Sequence, residues 1–177
     1  MNSTATILPY YTYEDWKHWE GKWELIKGIP YAMSPAPVPK HQRIALNLSG
    51  EFRATLKACN KCAAYLPIDY RVADDIILQP DMLVVCGEII KTYLDFPPAL
   101  VVEVLSPATA LKDRHTKYDI YESQGIKYYI IIMPDKEEAE IFELMDGKYH
   151  LKQSGKNFIH EFFFPECTSR IDFKEIW

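Results

Sequence analysis

The chain has 177 residues, 48% of them apolar, and a formal net charge of −5, which fits one domain spanning residues 1–177 and excludes a disordered chain. No window approaches the roughly 20 apolar residues of a membrane-spanning helix, and the net acidity excludes a surface that is basic all over. The opening MNSTATILPYYTYEDW has no basic region ahead of its short apolar patch and carries acids soon after, so no secretory signal, and hence a cytoplasmic protein, is expected.

Residues 13–19 form a short aromatic helical candidate with Thr12 before it as a cap. Residues 23–27 and 29–33 read as two strands joined at the Gly28 turn. The run Ser34-Pro35-Ala36-Pro37-Val38-Pro39 reads as an extended loop, because proline lacks a backbone donor and restricts the residue before it. From His41 onward, Ile44, Leu48, Phe52 and Leu56 recur every four residues, the pattern of a long amphipathic helix. Short strands follow at 63–66, 68–72, 76–78 and 82–86, with Ala73-Asp74-Asp75 as a turn. Residues 87–98 are expected to be a partly helical connection ending at Pro97-Pro98, and 99–105 a strand stopped by Ser106-Pro107. Tyr118, Ile120 and Tyr121 mark a helix ending at Gly125. Residues 127–133 are a β-branched, aromatic strand, and 139–144 with 149–152 form a hairpin around Asp146-Gly147. Phe162-Phe163-Phe164 and Trp177 anchor the C-terminal end. The order predicts an α/β chain of the mixed α+β kind, a central mixed β-sheet flanked by helices.

Four cysteines, at 59, 62, 86 and 167, are expected as reduced thiols, since the chain is large enough to need no disulfide framework. Cys59-Asn60-Lys61-Cys62 matches a CxxC, which leaves a small zinc or redox module as one reading. Two small residues at a helix-to-strand turn are the structural alternative. Charge is distributed unevenly: Lys40, Arg43, Arg53, Lys57 and Lys61 oppose Glu51 alone, whereas Lys136 alone opposes Asp135, Glu137, Glu138, Glu140 and Glu143. A phosphate backbone is expected to meet the first segment, with Lys40, Arg43 and Lys57 as contacts, and to avoid the second.

The functional signal is a pair of acids. Asp81 opens the apolar run Met82-Leu83-Val84-Val85, and Glu103 interrupts a strand apolar on both faces. An unpaired charge in a buried strand costs several kcal/mol, on the order of the penalties for lone buried ions. A divalent cation bound by oxygen ligands compensates two such acids at once.

Pro80-Asp81, Val102-Glu103-Val104-Leu105-Ser106-Pro107, and then Asp113 and Lys117 with Tyr121 after them resemble the PD-(D/E)XK nuclease superfamily. More closely, Trp23-Glu24-Leu25-Ile26-Lys27-Gly28, Met33-Ser34-Pro35, His41, Gln79-Pro80-Asp81 and Glu103-Val104-Leu105-Ser106-Pro107 resemble the Uma-type restriction endonuclease family, over about residues 11–151. The resemblance implies a restriction-endonuclease-like core and a Mg2+ or Mn2+ site made by Asp81, Glu103 and the backbone carbonyl of Val104. It also implies a DNA substrate. The superfamily's lysine commonly sits two residues after the glutamate, where this chain has Leu105. Lys117 on the following helix is the candidate replacement, so Asp81, Glu103 and Lys117 are the candidate catalytic residues. Glu24 and His41 are auxiliary candidates, and Tyr121 is expected to pack against and orient Lys117.

The leading function is therefore a metal-dependent DNA endonuclease. A homodimer is its expected form, since two sites related by symmetry cut both strands most simply. The alternative is a nuclease-fold protein that binds nucleic acid or a protein partner without cutting.

Overall fold

The computed structural model describes residues 9–33, 37–107 and 109–177. Residues 1–8, read above for a leader, and residues 34–36 of the proline-rich segment and of the Met33-Ser34-Pro35 match lie outside them.

Short α1 (Tyr13–Trp16) precedes a hairpin of β1 (Trp23–Ile26) and β2 (Ile29–Ala32). Lys27 and Gly28 both take positive φ, 51° and 74°, the turn whose twist matches that of paired strands. A Cβ on Gly28 would lie 2.3 Å from the Tyr10 ring, so glycine is required there for space as well as for φ. Next comes α2 (Pro39–Thr55), started by a proline in its first turn, where the missing N–H has no partner to lose. Ile44, Ala45, Leu48 and Phe52 are buried along one stripe of it, as the four-residue recurrence predicts.

Strands β3 (Cys62–Tyr65), β4 (Tyr70–Ala73), β5 (Ile76–Leu78), β6 (Met82–Cys86) and β7 (Leu100–Val104) follow, then a π-helical segment (Lys112–Lys117) running into α3 (Tyr118–Ser123). The chain ends with β8 (Tyr128–Met133), β9 (Glu138–Met145), β10 (Lys148–Gly155), β11 (Ile159–Phe164), β12 (Cys167–Asp172) and a 3-10 turn (Phe173–Ile176). The central sheet is ordered β10-β9-β8-β7-β6-β3, and a smaller sheet is ordered β2-β1-β5-β4. Within the central sheet only β7 and β8 are parallel. A parallel pair needs a long crossover, and the π-helical segment and α3 supply it.

Side chains alternate across the sheet. Met82, Val84, Val102, Val104, Ile130 and Ile132 pack with α2 and the β11–β12 hairpin. Leu83, Val85, Val101, Tyr129 and Ile131 pack with Ile120 and Tyr121 of α3. Glu103, between Val102 and Val104, therefore points to the α3 side. Gln79-Pro80-Asp81 links β5 of the small sheet to β6 of the central one, so that tripeptide fixes one sheet against the other.

Two expectations are corrected. Residues 87–98 form no helix: Gly87 takes φ 139°, and buried Leu94 instead bonds extended backbone, its N–H to Asp69 O at 2.8 Å and its O from Arg71 N at 2.9 Å. The anchor expected at the C-terminal phenylalanines is a hairpin with Phe162 and Phe164 buried and Phe163 exposed, a period of two. The cysteines are not reduced thiols but pair as Cys59–Cys167 and Cys62–Cys86. The cause is register, since β3 and β6 set Cys62 directly opposite Cys86 and the β12 strand begins at Cys167.

Candidate active site

The antiparallel register pairs Met82 with Val102. Continued by one residue, it sets Asp81 opposite Glu103, and directly opposed residues share a sheet face. β6 has ended at Asp81, so the edge of β7 at Val104 is open there. Val104 N–H donates to Asp81 Oδ2 at 2.8 Å, in place of a ladder bond. His41, in the first turn of α2, lies 3.2 Å from the same oxygen through Nε2. Burial opposes the imidazolium, but Asp81 and the Val104 carbonyl outweigh it and raise the His41 pKa above its ordinary value. The Val104 carbonyl thus faces the side on which Asp81 and His41 meet.

On the α3 side, Lys117 is 2% exposed and touches three carboxylates. Its Nζ is 2.8 Å from Glu103 Oε1, 2.6 Å from Glu24 Oε1 and 3.5 Å from Asp113 Oδ1. Burial works against the ammonium, yet these acids hold its pKa well above the ordinary lysine value. The group is a fixed cation and a donor, not a base. Glu103 is pushed the other way: burial raises its pKa well above the usual carboxylate range, Lys117 pulls it down by less, and Asp113, Asp81 and Glu24 add to the rise. Tyr121 donates to Glu103 Oε1 at 2.7 Å. It bonds the same Glu103 oxygen that accepts from Lys117.

Glu24 on β1 has no exposure at all. Its Oε1 also accepts from Gln79 N at 3.0 Å, and its Oε2 pairs with Lys112 Nζ at 2.5 Å. Burial raises its pKa, but Lys117 and Lys112 together overcome that and leave it below the ordinary value. Lys112 and Lys117 reach one carboxylate because they are five residues apart in a π-helical turn. In an α-helix positions i and i+5 diverge by about 140°, whereas the i to i+5 closure of a π turn stacks them.

Asp113, 1% exposed, completes the group. Its Oδ1 is near Lys117 but outside hydrogen-bond geometry, a buried acceptor without a partner among the described residues. Burial raises its pKa above the ordinary value, against the pull of Lys117. The donor set fits a hard divalent cation. Four carboxylates face two ammoniums and one imidazole, one buried acceptor is orphaned, and neither Asp81 Oδ1 nor Glu103 Oε2 has a hydrogen-bond partner among the described residues. Asp81, Glu103 and the Val104 carbonyl are the groups at the open strand edge that would hold it.

Asp81, Glu103, Lys117, Glu24, His41 and Tyr121 are thus brought to one end of the β6–β7 pair. Lys112 joins them and was not singled out from sequence, while Asp113 and Gln79, quoted above only within motifs, lie against Lys117 and Glu24 respectively. Lys112 carries no sequence signal, because only the π turn aims it at Glu24. The basic set lies elsewhere: Arg43 is exposed on α2 and Lys57 in the turn after it, while Lys40 pairs with Glu137 at 3.6 Å. The acidic segment therefore meets the start of the basic helix, which the charge pattern alone did not disclose. A surface cleft of about 730 Å³, lined by Tyr65, Ile68, Gly87 and Tyr93 among others, holds none of the site residues.

A family model described as "Putative restriction endonuclease", Uma2, matches residues 10–172. Among solved structures, the chain is similar to one described as a putative nuclease belonging to DUF820 from Anabaena variabilis ATCC 29413. The TM-score is 0.75 at 17% identity, over 93% of this chain and 96% of that one, which shows a shared fold. Comparison with curated proteins finds no match.

Proposed function

Because the chain belongs to the Uma2 family and surrounds one buried ammonium with acids at an open strand edge, we propose that it is a Mg2+-dependent endonuclease hydrolysing DNA phosphodiester bonds. The observation that carries this reading is Lys117 Nζ held 2.8 Å from Glu103, on the strand beside Asp81. When bound, a divalent cation such as Mg2+ or Mn2+ polarises a phosphate oxygen and acidifies water. Asp81 Oδ1, Glu103 Oε2 and the Val104 carbonyl are the groups that would hold it. His41 and Val104 N–H fix Asp81, and Tyr121 fixes Glu103, so neither acid has to reorient. Lys117, permanently charged, donates toward the scissile phosphate and offsets charge developing there. Glu24 anchors Lys117. The exposed cations Arg43 on α2 and Lys57 just past its end are the proposed phosphate contacts along the duplex, and a homodimer would place two such sites on opposite strands.

Cleavage of supercoiled plasmid and of single-stranded DNA with Mg2+ or Mn2+ tests the proposal. Wild type is expected to nick, and Asp81→Ala to lose about 10²-fold or more of the rate. No cleavage of either substrate with either ion, or equal rates in both proteins, would overturn it. A second reading, binding without cutting, draws on Leu105 at the usual lysine position and on the three carboxylates that already occupy Lys117. It is supported if wild type retards DNA but leaves it intact.

A further inference from the structure

Three of the four cysteine sulfurs meet at one place, and the fourth, that of Cys86, stands just outside that group, bonded to one of its members. The Sγ atoms of Cys59, Cys62 and Cys167 lie within 4.8 Å of one another, and Cys86 Sγ is bonded to that of Cys62. Two independent disulfides have no need to be neighbours; four sulfurs around one ion must be. With Zn–S near 2.3 Å, the sulfurs of a tetrahedral site are about 3.8 Å apart, so this group needs only small side-chain movements to enclose a cation. The backbone has the matching form. Cys59 and Cys62 are spaced as a CxxC at the end of α2, and Cys62 N–H donates to Cys59 Sγ at 3.3 Å, a bond that turns the loop so both sulfurs face the same point. The pairing seen crosses the CxxC, joining each of its cysteines to a different distant segment.

We propose that these four sulfurs form a structural zinc site, with the two disulfides as its oxidised state. Conversion takes four electrons and four protons from two equivalents of a dithiol, which leave as two cyclic disulfides. The four thiols then release four protons as one Zn2+ binds. Lys57 and Lys61, exposed beside the loop, moderate the net negative charge of a tetrathiolate. The site ties the end of α2 and the β3–β6 edge to the C-terminal hairpin. It is separate from the acid cluster, since Asp81 precedes β6 and Cys86 ends it, roughly 16 Å apart along an extended strand.

The test uses the full chain without a histidine tag, kept reduced with a phosphine. Elemental analysis should find one zinc per chain in wild type and in Asp81→Ala, and loss of stoichiometric zinc in Cys59→Ser and in Cys167→Ser. Cobalt exchanged into wild type should give the d–d and sulfur-to-metal bands of a tetrahedral thiolate, a readout that needs no variant to fold. Folded wild-type protein with four free thiols by mass spectrometry but with substoichiometric zinc and no such cobalt spectrum would overturn the proposal. So would zinc that Asp81→Ala removes and Cys59→Ser keeps.

Discussion

Replacing Lys117 with methionine tests the electrostatic account most directly. Methionine keeps the length and most of the volume, so packing should change stability by less than about 1.5 kcal/mol. The charge is another matter. Lys117 stands between Glu24, Glu103 and Asp113, each at most 3% exposed, and removing one partner of a buried ion pair costs about 3–5 kcal/mol because it strands the other. Glu103 and Asp113 already have folded pKa values raised by burial, and losing Lys117 raises them further. A group whose folded pKa is raised contributes stability that is full below its unfolded value and lost as pH rises through the folded one. The deficit of Lys117→Met should therefore be about 3–5 kcal/mol at about pH 8 and clearly smaller at about pH 5. Urea denaturation at both pH values reads it. Adding Glu103→Gln should restore part of the loss at the higher pH, since the stranded charge goes with it. A deficit under about 1 kcal/mol, or one equal at both pH values, would refute the view of Lys117 as the neutraliser of a buried acid cluster.

Three further outcomes are expected. His41, with its pKa raised from 6.5 by Asp81 against the effect of burial, should contribute stability that is complete below about pH 6.5 and lost as pH climbs through the raised value; His41→Gln should lack that slope in thermal melts, and an unchanged profile would separate His41 from Asp81. Mg2+ or Mn2+ at a hundredfold excess over Kd should stabilise wild type by about 2.7 kcal/mol, with Asp81→Ala and Glu103→Ala losing most of the shift; equal shifts in all three would place the ion elsewhere. If DNA docks along α2, changing Arg43 and Lys57 to glutamine should reduce the slope of log K against log salt by about 1.8, and an unchanged slope would move the DNA off that helix.

What the sequence disclosed depended on local pattern. The four-residue recurrence from Ile44 defined α2, Asp146-Gly147 marked the β9–β10 turn, and apolar neighbours on both sides of Glu103 announced a buried acid. Three features were beyond it because they arise from pairing between distant segments. Glu24 has no exposure because Lys112 and Lys117 of the crossover and Gln79 close over its carboxylate, while its own neighbours, Trp23 and Leu25, fit a half-exposed strand equally well. Lys112 joins the site through a π turn, which leaves no mark in a hydrophobic pattern. The cysteines meet through the β3–β6 register and the placement of the C-terminal hairpin, and their spacing of 24 and 108 residues carries no trace of either.

The placement of Lys117 on a helical turn rather than on a strand also explains Glu24. Residues 103 and 105 share a strand face, so a lysine at 105 would reach Glu103's surroundings from a rigid sheet position. Here Leu105 packs against the apolar cluster under α3 and donates its N–H to Ile132 O at 2.8 Å. The ammonium has to come instead from a helical turn across the site, on a long stem with several rotatable bonds whose ordering is unfavourable. Glu103 alone cannot hold it, because burial drives that acid toward its neutral form. Glu24 stays ionised, with Lys112 stabilising it, and fixes the Lys117 ammonium from the far side. The position of the site's central cation thus depends on the seating of the small sheet, through Glu24 on β1 and its bond from Gln79 N at 3.0 Å. A substitution that loosens β1, with no atom near Asp81 or Glu103, should therefore impair the site as much as one made within it.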